Sequence, residues 1–197
     1  SSSKEERDNI KVYTKNGIKY TFISYTTSLN GYNLPKGKEY LVNRYDADIA
    51  KRDIESIKDK ADVVIISMHW GVEYTHEPTA YEKDMAQYLA SLDVDIIIGT
   101  HPHVIQPITW IDDTLVIYSL GNLISAQYQD QNYNKMVGVM TSLEINKTVK
   151  GEDINITIDN VDNELIYTYY KNWRNFKVVP FSSTEIGKYL PDYRTVY

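Results

Sequence analysis

The chain has 197 residues, enough for one substantial domain over 1–197, with 42% hydrophobic and 24% charged residues; no apolar run approaches the ~18–20 residues of a membrane-spanning helix. Twenty-one basic against 27 acidic residues give a net charge of -6, which argues against a nucleic-acid binder, since such proteins track phosphates with basic patches. The lack of cysteine excludes disulfides and thiolate zinc sites, so any metal must be held by histidine, carboxylate, amide or water.

The start, Ser1 to Arg7, has no apolar signal core, and any exporting or anchoring segment is expected upstream of a truncated chain. Residues 11–14 and 18–26 are rich in β-branched and aromatic side chains and flank Asn16-Gly17, a strong hairpin signal. From Asp46 to Ala61, Ala50, Ile54, Ile57 and Ala61 recur at offsets of four, three and four, which predicts a helix. The run "DVVIISMHWG" is apolar at successive positions, as expected of a parallel strand covered on both faces. Thr79 and Glu82 form a capping-box pattern ahead of an apolar stripe of Tyr81, Met85, Tyr88, Leu89 and Leu92, which predicts a helix over 80–92.

"VDIIIGTHPH" repeats the strand-then-histidine design, so both histidine sites should fall at one carboxyl edge, where open α/β sheets bind ligands. A second hairpin is expected over 104–111 and 114–118 across Asp112-Asp113, then a polar loop over 126–135. Strands are expected at 136–146, at 153–161 and through 165–179. The class is mixed: an α/β (α+β mixed) fold with a βαβ sheet layer, followed over 136–197 by an antiparallel β-rich part.

Three of the four histidines, His69, His101 and His103, follow the ends of two neighbouring strands. If Thr100 to Val104 is extended, His101 and His103 point to one side and can address one metal or two adjacent ones. A single histidine at a sheet edge is more often a turn residue, whereas three that converge are better explained as ligands. Three neutral imidazoles are still an incomplete set for a hard dinuclear centre, which includes carboxylates. Glu73 is the nearest acid and is expected at substrate; His76 is expected in a loop.

The segments "HWGVEY" at 69–74, "GTHPHVIQP" at 99–107 and "YSLGNLI" at 118–124 resemble, in this order, the poly-γ-glutamate capsule biosynthesis (CapA-like) family, a family similar to calcineurin-type metallophosphoesterases. The resemblance spans about 18–125. It implies a metal-dependent hydrolase site with His69, His101 and His103 facing divalent ions (Mn, Fe, Zn or Mg) and with His69 or His103 as the catalytic proton carrier. Trp70, Glu73 and Tyr74 of the first motif, and Ser119 and Asn122 of the third, are then expected at substrate, an anionic polymer or a phosphoester. "GNLI" lacks the histidine of the phosphoesterase G-N-H-[DE] element and follows the G-x-H-x-H pair, so it is not that element.

The upstream G-D, N-L-E and N-N-H segments of such domains have no counterpart, and no glycine here precedes an aspartate. A carboxyl-terminal part is therefore expected, completed by an amino-terminal half or a second copy. The resemblance places it at the extracellular face of a bacterial membrane, attached only through a segment upstream of this chain. Two other functions compete: a polymer-binding assembly module that uses the 18 tyrosines and 3 tryptophans, and a generic phosphoesterase.

Overall fold

Asn16 and Gly17 take φ of 52° and 81°, the left-handed pair that a two-residue hairpin turn needs, and join β1 (Val12–Lys15) to β2 (Ile18–Thr26). The computed structural model describes residues 1–127 and 133–196. The chain forms two compact units: Ser1–Val72, Pro78–His101 and Ile108–Tyr118 make the first, and Glu73–Glu77, Pro102–Pro107 and Ser119–Tyr197 the second.

The first unit is α/β. Its six strands run in the order β1-β2-β3-β4-β6-β5, where β3 is Val63–His69, β4 Ile96–Thr100, β5 Ile108–Ile111 and β6 Thr114–Ile117. The four inner strands are parallel and the two hairpins close the edges. Register aligns Ile23, Ile66, Ile97 and Val116 in one row across the sheet. All four are buried in a core shared with Ala50, Ile54 and Ile57 of α2 (Ala47–Ile57) and Met85, Ala86 and Leu89 of α3 (Ala80–Ala90). Each of the isoleucine, valine, leucine and methionine side chains contributes roughly 1.5–3 kcal/mol on burial.

Both helices begin where the sequence signals them. The Asp46 carboxylate accepts from the amides of Asp48 and Ile49, and Thr79 and Glu82 cap each other. Helix α2 stops at Ile57, short of Ala61, although the Ala61 amide still reaches the Ile57 carbonyl. The stripe on α3 is also shifted. Tyr81 is exposed, and Ala86 takes its place in the core beside Met85 and Leu89. On β3 the helices cover Val64, Ile66 and Met68 fully, while Ile65, Ser67 and His69 on the opposite face are only half-buried; full cover on both faces, expected from the apolar run, holds on one.

The second unit is an antiparallel meander of β7 (Val137–Lys150), β8 (Asp153–Lys171) and β9 (Arg174–Pro180). Met136, Val137, Tyr167, Tyr170, Val179 and Ile186 form its core. Strand β8 runs unbroken through the two stretches expected as separate strands, and the turn falls at Asn172-Trp173, both at positive φ. The polar loop expected over 126–135 lies partly outside the described residues, at 128–132; Tyr133–Met136 forms a 3-10 turn. Among the described residues no helix is long and apolar enough to cross a membrane.

The helix α1 (Lys4–Asp8) is tied down by one buried charge network. Asp53 of α2, 4% exposed, takes two hydrogen bonds from the Arg7 guanidinium at 2.8 and 2.6 Å, one from Tyr25 Oη at 2.8 Å and one from Arg52 at 3.1 Å. Burial pushes the Asp53 carboxyl up, but the hydrogen bonds from Arg7, Tyr25 and Arg52 outweigh it and hold it below its ordinary value. A carboxyl depressed in the folded state stabilises fully above its unfolded value and loses that contribution as pH falls through the folded one. Urea stability should therefore drop as pH falls below about 4. Asp53→Asn should lose roughly 3–5 kcal/mol at pH 7, because the largely buried Arg7 keeps only the exposed Asp8 carboxylate at 3.4 Å, and should show a smaller acid-induced drop. A variant as stable as the parent at pH 7 would show that the network contributes nothing.

Candidate functional site

The three sequence motifs meet in one hydrogen bond. Trp70, fully buried, donates from Nε1 to the Tyr118 carbonyl at 3.0 Å, and its ring stacks on Tyr118 with centroids 5.8 Å apart. That bond passes over Gly99: a Cβ there would lie 1.9 Å from the Tyr118 oxygen and 2.5 Å from Trp70 Nε1. The glycine of "GTHPH" is therefore demanded by the tryptophan of "HWG" and the carbonyl that opens "YSLGN". Trp70, expected at substrate, is a core residue that clamps the ends of β3, β4 and β6. The second glycine of the site, Gly71 at φ 87°, leaves room for Glu82, whose Oε1 would be 2.3 Å from an added Cβ. Glu82 is fully buried, and its Oε1 has no hydrogen-bond partner among the described residues. Burial, and then the Glu82 charge, push the Tyr118 phenol up.

This clamp sets two histidines side by side. His69 ends β3 in register with Thr100, the last residue of β4. The His69 and His101 rings lie 4.5 Å apart at 54°. The backbone holds both tightly: the Trp70 amide donates to the Thr100 carbonyl at 3.1 Å and the Thr27 amide to the His69 carbonyl at 3.0 Å. On the same side of the sheet a polar recess of about 360 Å³ adjoins His69, lined among others by Ser24, Thr26, Asn43 and Ser67. Sequence reasoning missed these hydroxyls, although strand alternation puts Ser67 and His69 on one face.

The segment after β4 is not extended, which corrects the reasoning that placed His101 and His103 by alternation. Pairing stops at Thr100, and His101 and His103 take φ of 100° and 60°. Non-glycine residues held at positive φ cost roughly 1–3 kcal/mol and persist only where the surroundings over-determine them.

In the second unit His103 meets Asn122 and Tyr74. Asn122, 8% exposed, donates from Nδ2 to the carbonyls of His103 at 3.2 Å and Lys135 at 2.9 Å. Its Oδ1 therefore faces His103 Nδ1, 2.9 Å away. Two acceptors cannot share a bond, so Nδ1 carries the proton and Nε2 is the basic nitrogen. The exposed Tyr74 ring stacks against His103 with centroids 6.0 Å apart, under Lys135 Nζ at 4.7 Å from the Tyr74 centroid. Ser119 is 1% exposed and its Oγ accepts from the Gly121 amide at 3.2 Å, a turn-shaping contact. Gly138, which sequence reasoning overlooked, seats this loop: a Cβ there would meet the Asn122 carbonyl at 2.3 Å. Glu73 is exposed, and His76 bonds the Ile105 carbonyl through Nδ1 at 3.0 Å.

Among the described residues no group of three or more histidine, aspartate or glutamate side chains is placed to hold a metal ion. The His69–His101 pair offers two imidazoles, half of a four-coordinate donor set. The donors that the described residues bring there do not complete a metal centre.

Three outcomes check this geometry. Trp70→Phe keeps most of the packing but strands the Tyr118 carbonyl, and should lower urea stability by roughly 1–3 kcal/mol; Gly99→Ala should cost roughly 3 kcal/mol or more, since both neighbours are fixed. A Gly99→Ala variant as stable as the parent would refute the close approach. Imidazole ¹⁵N shifts should show His103 protonated at Nδ1, and Asn122→Ala should abolish that preference; an unchanged spectrum would mean that Asn122 does not set the tautomer.

Comparison with known proteins accords with the motifs. The family described as bacterial capsule synthesis protein PGA_cap matches residues 1–127. The PGA biosynthesis protein CapA of Bacillus subtilis (strain 168) is 31% identical over 127 residues, covering 64% of this chain and 33% of that protein. The capsule biosynthesis protein CapA of Bacillus anthracis is 28% identical over 123 residues, covering 60% and 30%. This chain thus spans about a third of the length of either relative. A crystal structure of a "Putative 5'-Nucleotidase" from Staphylococcus aureus in complex with alpha-ketoglutarate aligns at TM-score 0.44 and 15% identity, over 87% of this chain and 29% of that one, a likeness too low to bear on the site. With the family match covering well over half of its residues, this chain belongs to the bacterial capsule synthesis protein family.

Proposed function

We propose that the chain supplies the histidine wall of a hydrolytic site that acts on an anionic surface polymer, poly-γ-glutamate, or on its phosphoester precursors during capsule assembly. The observation that carries this reading is the His69–His101 ring contact at the carboxyl ends of adjacent parallel strands, the edge at which α/β sheets bind ligands. Family membership and the relatives' names supply the polymer.

In this reading His69 and His101 act together beside the hydroxyl-lined recess, which positions the scissile group. His69, the residue that ends β3, takes or returns a proton. A divalent ion (Mn, Fe, Zn or Mg) would supply Lewis-acid activation of water; beyond the two imidazoles it needs donors that the described residues do not bring to them. The site works at the cell surface, with any membrane attachment outside this chain, and its completing partner is the rest of the longer protein or a second copy.

A non-catalytic polymer-binding role is favoured by a different feature. Trp173 and Phe176 are exposed and stand 5.5 and 5.1 Å from the Tyr170 ring, an aromatic platform on β8–β9. The two readings separate by turnover. With Mn²⁺ supplied, the full-length protein should cleave poly-γ-glutamate or a simple phosphoester, and His101→Ala should lower kcat at least about 100-fold, within the range of losing one acid–base or positioning group. Turnover that survives His101→Ala and His69→Ala unchanged would remove the histidine site from the mechanism.

A further inference from the structure

Three of the chain's five arginines, Arg7, Arg44 and Arg52, line one cleft of about 690 Å³ in the first unit, together with Lys4. In a chain of net charge -6 this is a local reversal of sign. Asp53 does not cancel it. That one carboxylate is shared between Arg7 and Arg52, to which Arg52 commits one of its five donors, and with Asp8 and Glu39 counted the four cations Lys4, Arg7, Arg44 and Arg52 still outnumber the three acids by one. Arg44 is exposed, and among the described residues neither its guanidinium nor the Lys4 ammonium makes a salt bridge. Two acids, Asp8 and Glu39, also line the cleft; the Asp8 carboxylate is turned to Arg7 at 3.4 Å, and Glu39 accepts from the Gly37 amide at 3.0 Å.

The rest of the wall is aliphatic, with Leu29, Leu34, Val42 and Ile49 interleaved among the cations. A free phosphate would neither fill such a volume nor use such a surface. A chain that alternates carboxylates with short methylene segments would do both: guanidinium forks match planar carboxylates, and aliphatic walls bury methylenes. The cleft also leads to the histidines. Val42 and Asn43 line both this cleft and the recess beside His69. Asn43 fixes that shared wall to the end of β2, its Nδ2 donating to the Ser24 carbonyl at 3.2 Å and its carbonyl accepting from the Thr26 amide at 2.9 Å.

The geometry points to this cleft as a binding subsite for a linear polycarboxylate, one that holds an anionic chain and leads it past Val42-Asn43 to the recess at His69. The inference rests on the hydrolytic reading above for its direction of travel, and on the cleft alone for its ligand.

The test is an equilibrium titration of fluorescently labelled poly-γ-glutamate into the 197-residue chain at low and at physiological salt. Lys4→Ala combined with Arg44→Ala removes two cations that make no salt bridge among the described residues, and should weaken binding at least tenfold. Lys150→Ala combined with Lys171→Ala removes the same charge from β7 and β8, and should change affinity less than twofold. Equal weakening by both pairs, or none by the first, would overturn the subsite; binding of polyphosphate without binding of poly-γ-glutamate would overturn the polycarboxylate assignment. His69→Ala with His101→Ala should weaken binding less than Lys4→Ala with Arg44→Ala does, and an equal or larger loss there would mean that the polymer binds at the histidines and not in the cleft. Binding confined to the cleft, with no cleavage by the full-length protein, would retire the hydrolytic reading while the subsite stands.

Discussion

The hydrogen bond from the Trp70 indole to the Tyr118 carbonyl is the constraint on which the site depends. It crosses Gly99 with no space for a side chain, so β3, β4 and β6 are fixed together at their carboxyl ends by contact of backbone, indole and nothing else. His69 is the residue before the indole and His101 lies two beyond the glycine. Their ring contact therefore follows from a place where the backbone has no slack, and low slack is what a reactive constellation needs. Gly71 repeats the device one residue past Trp70, where the missing side chain admits the buried Glu82 carboxylate.

Electrostatics divide the first unit into regions with different work. Asp53 gathers Arg7, Arg52 and Tyr25 and so anchors the short amino-terminal helix to α2 and β2. Asp53 and Asp8 balance Arg7 and Arg52, and the positive surplus on the wall of the basic cleft comes from Lys4 and Arg44 against Glu39. The recess at His69 is hydroxyl-lined and uncharged by comparison. Under the proposed function a polyanion would be drawn to the first region and processed at the second, against an overall net charge of -6. In the second unit the same economy of contacts appears in neutral form: Asn122 spends both amide protons on carbonyls and so dictates which nitrogen of His103 holds a proton.

Much of the local structure was legible because its causes are local. Asn16-Gly17 turns a hairpin through positive φ, Thr79 and Glu82 cap a helix three residues apart, and the apolar runs before His69 and His101 can only be buried strands. Three motifs in fixed order were enough to recognise the capsule synthesis family, which the match over residues 1–127 shows. Other expectations failed for physical reasons. Alternation says nothing about His101 and His103 once the chain leaves the sheet at Thr100 for left-handed backbone. Trp70 looks like a binding residue in a motif, yet its indole proton finds a carbonyl 48 residues away and the ring is sealed in the core. Arg7, Arg44 and Arg52 show no pattern in the sequence, and only the return of the 29–44 loop toward α1 and α2 collects them in one cleft.

The sequence by itself determined the elements, the class and the family, because turn chemistry, capping and hydrophobic period act over a few neighbouring residues. Only the tertiary structure decided which side chains meet: His69 with His101, Trp70 with the Tyr118 carbonyl, and two guanidiniums with one Asp53 carboxylate. Those meetings are set by strand order and register, which bring together residues dozens of positions apart, and no local propensity carries that information.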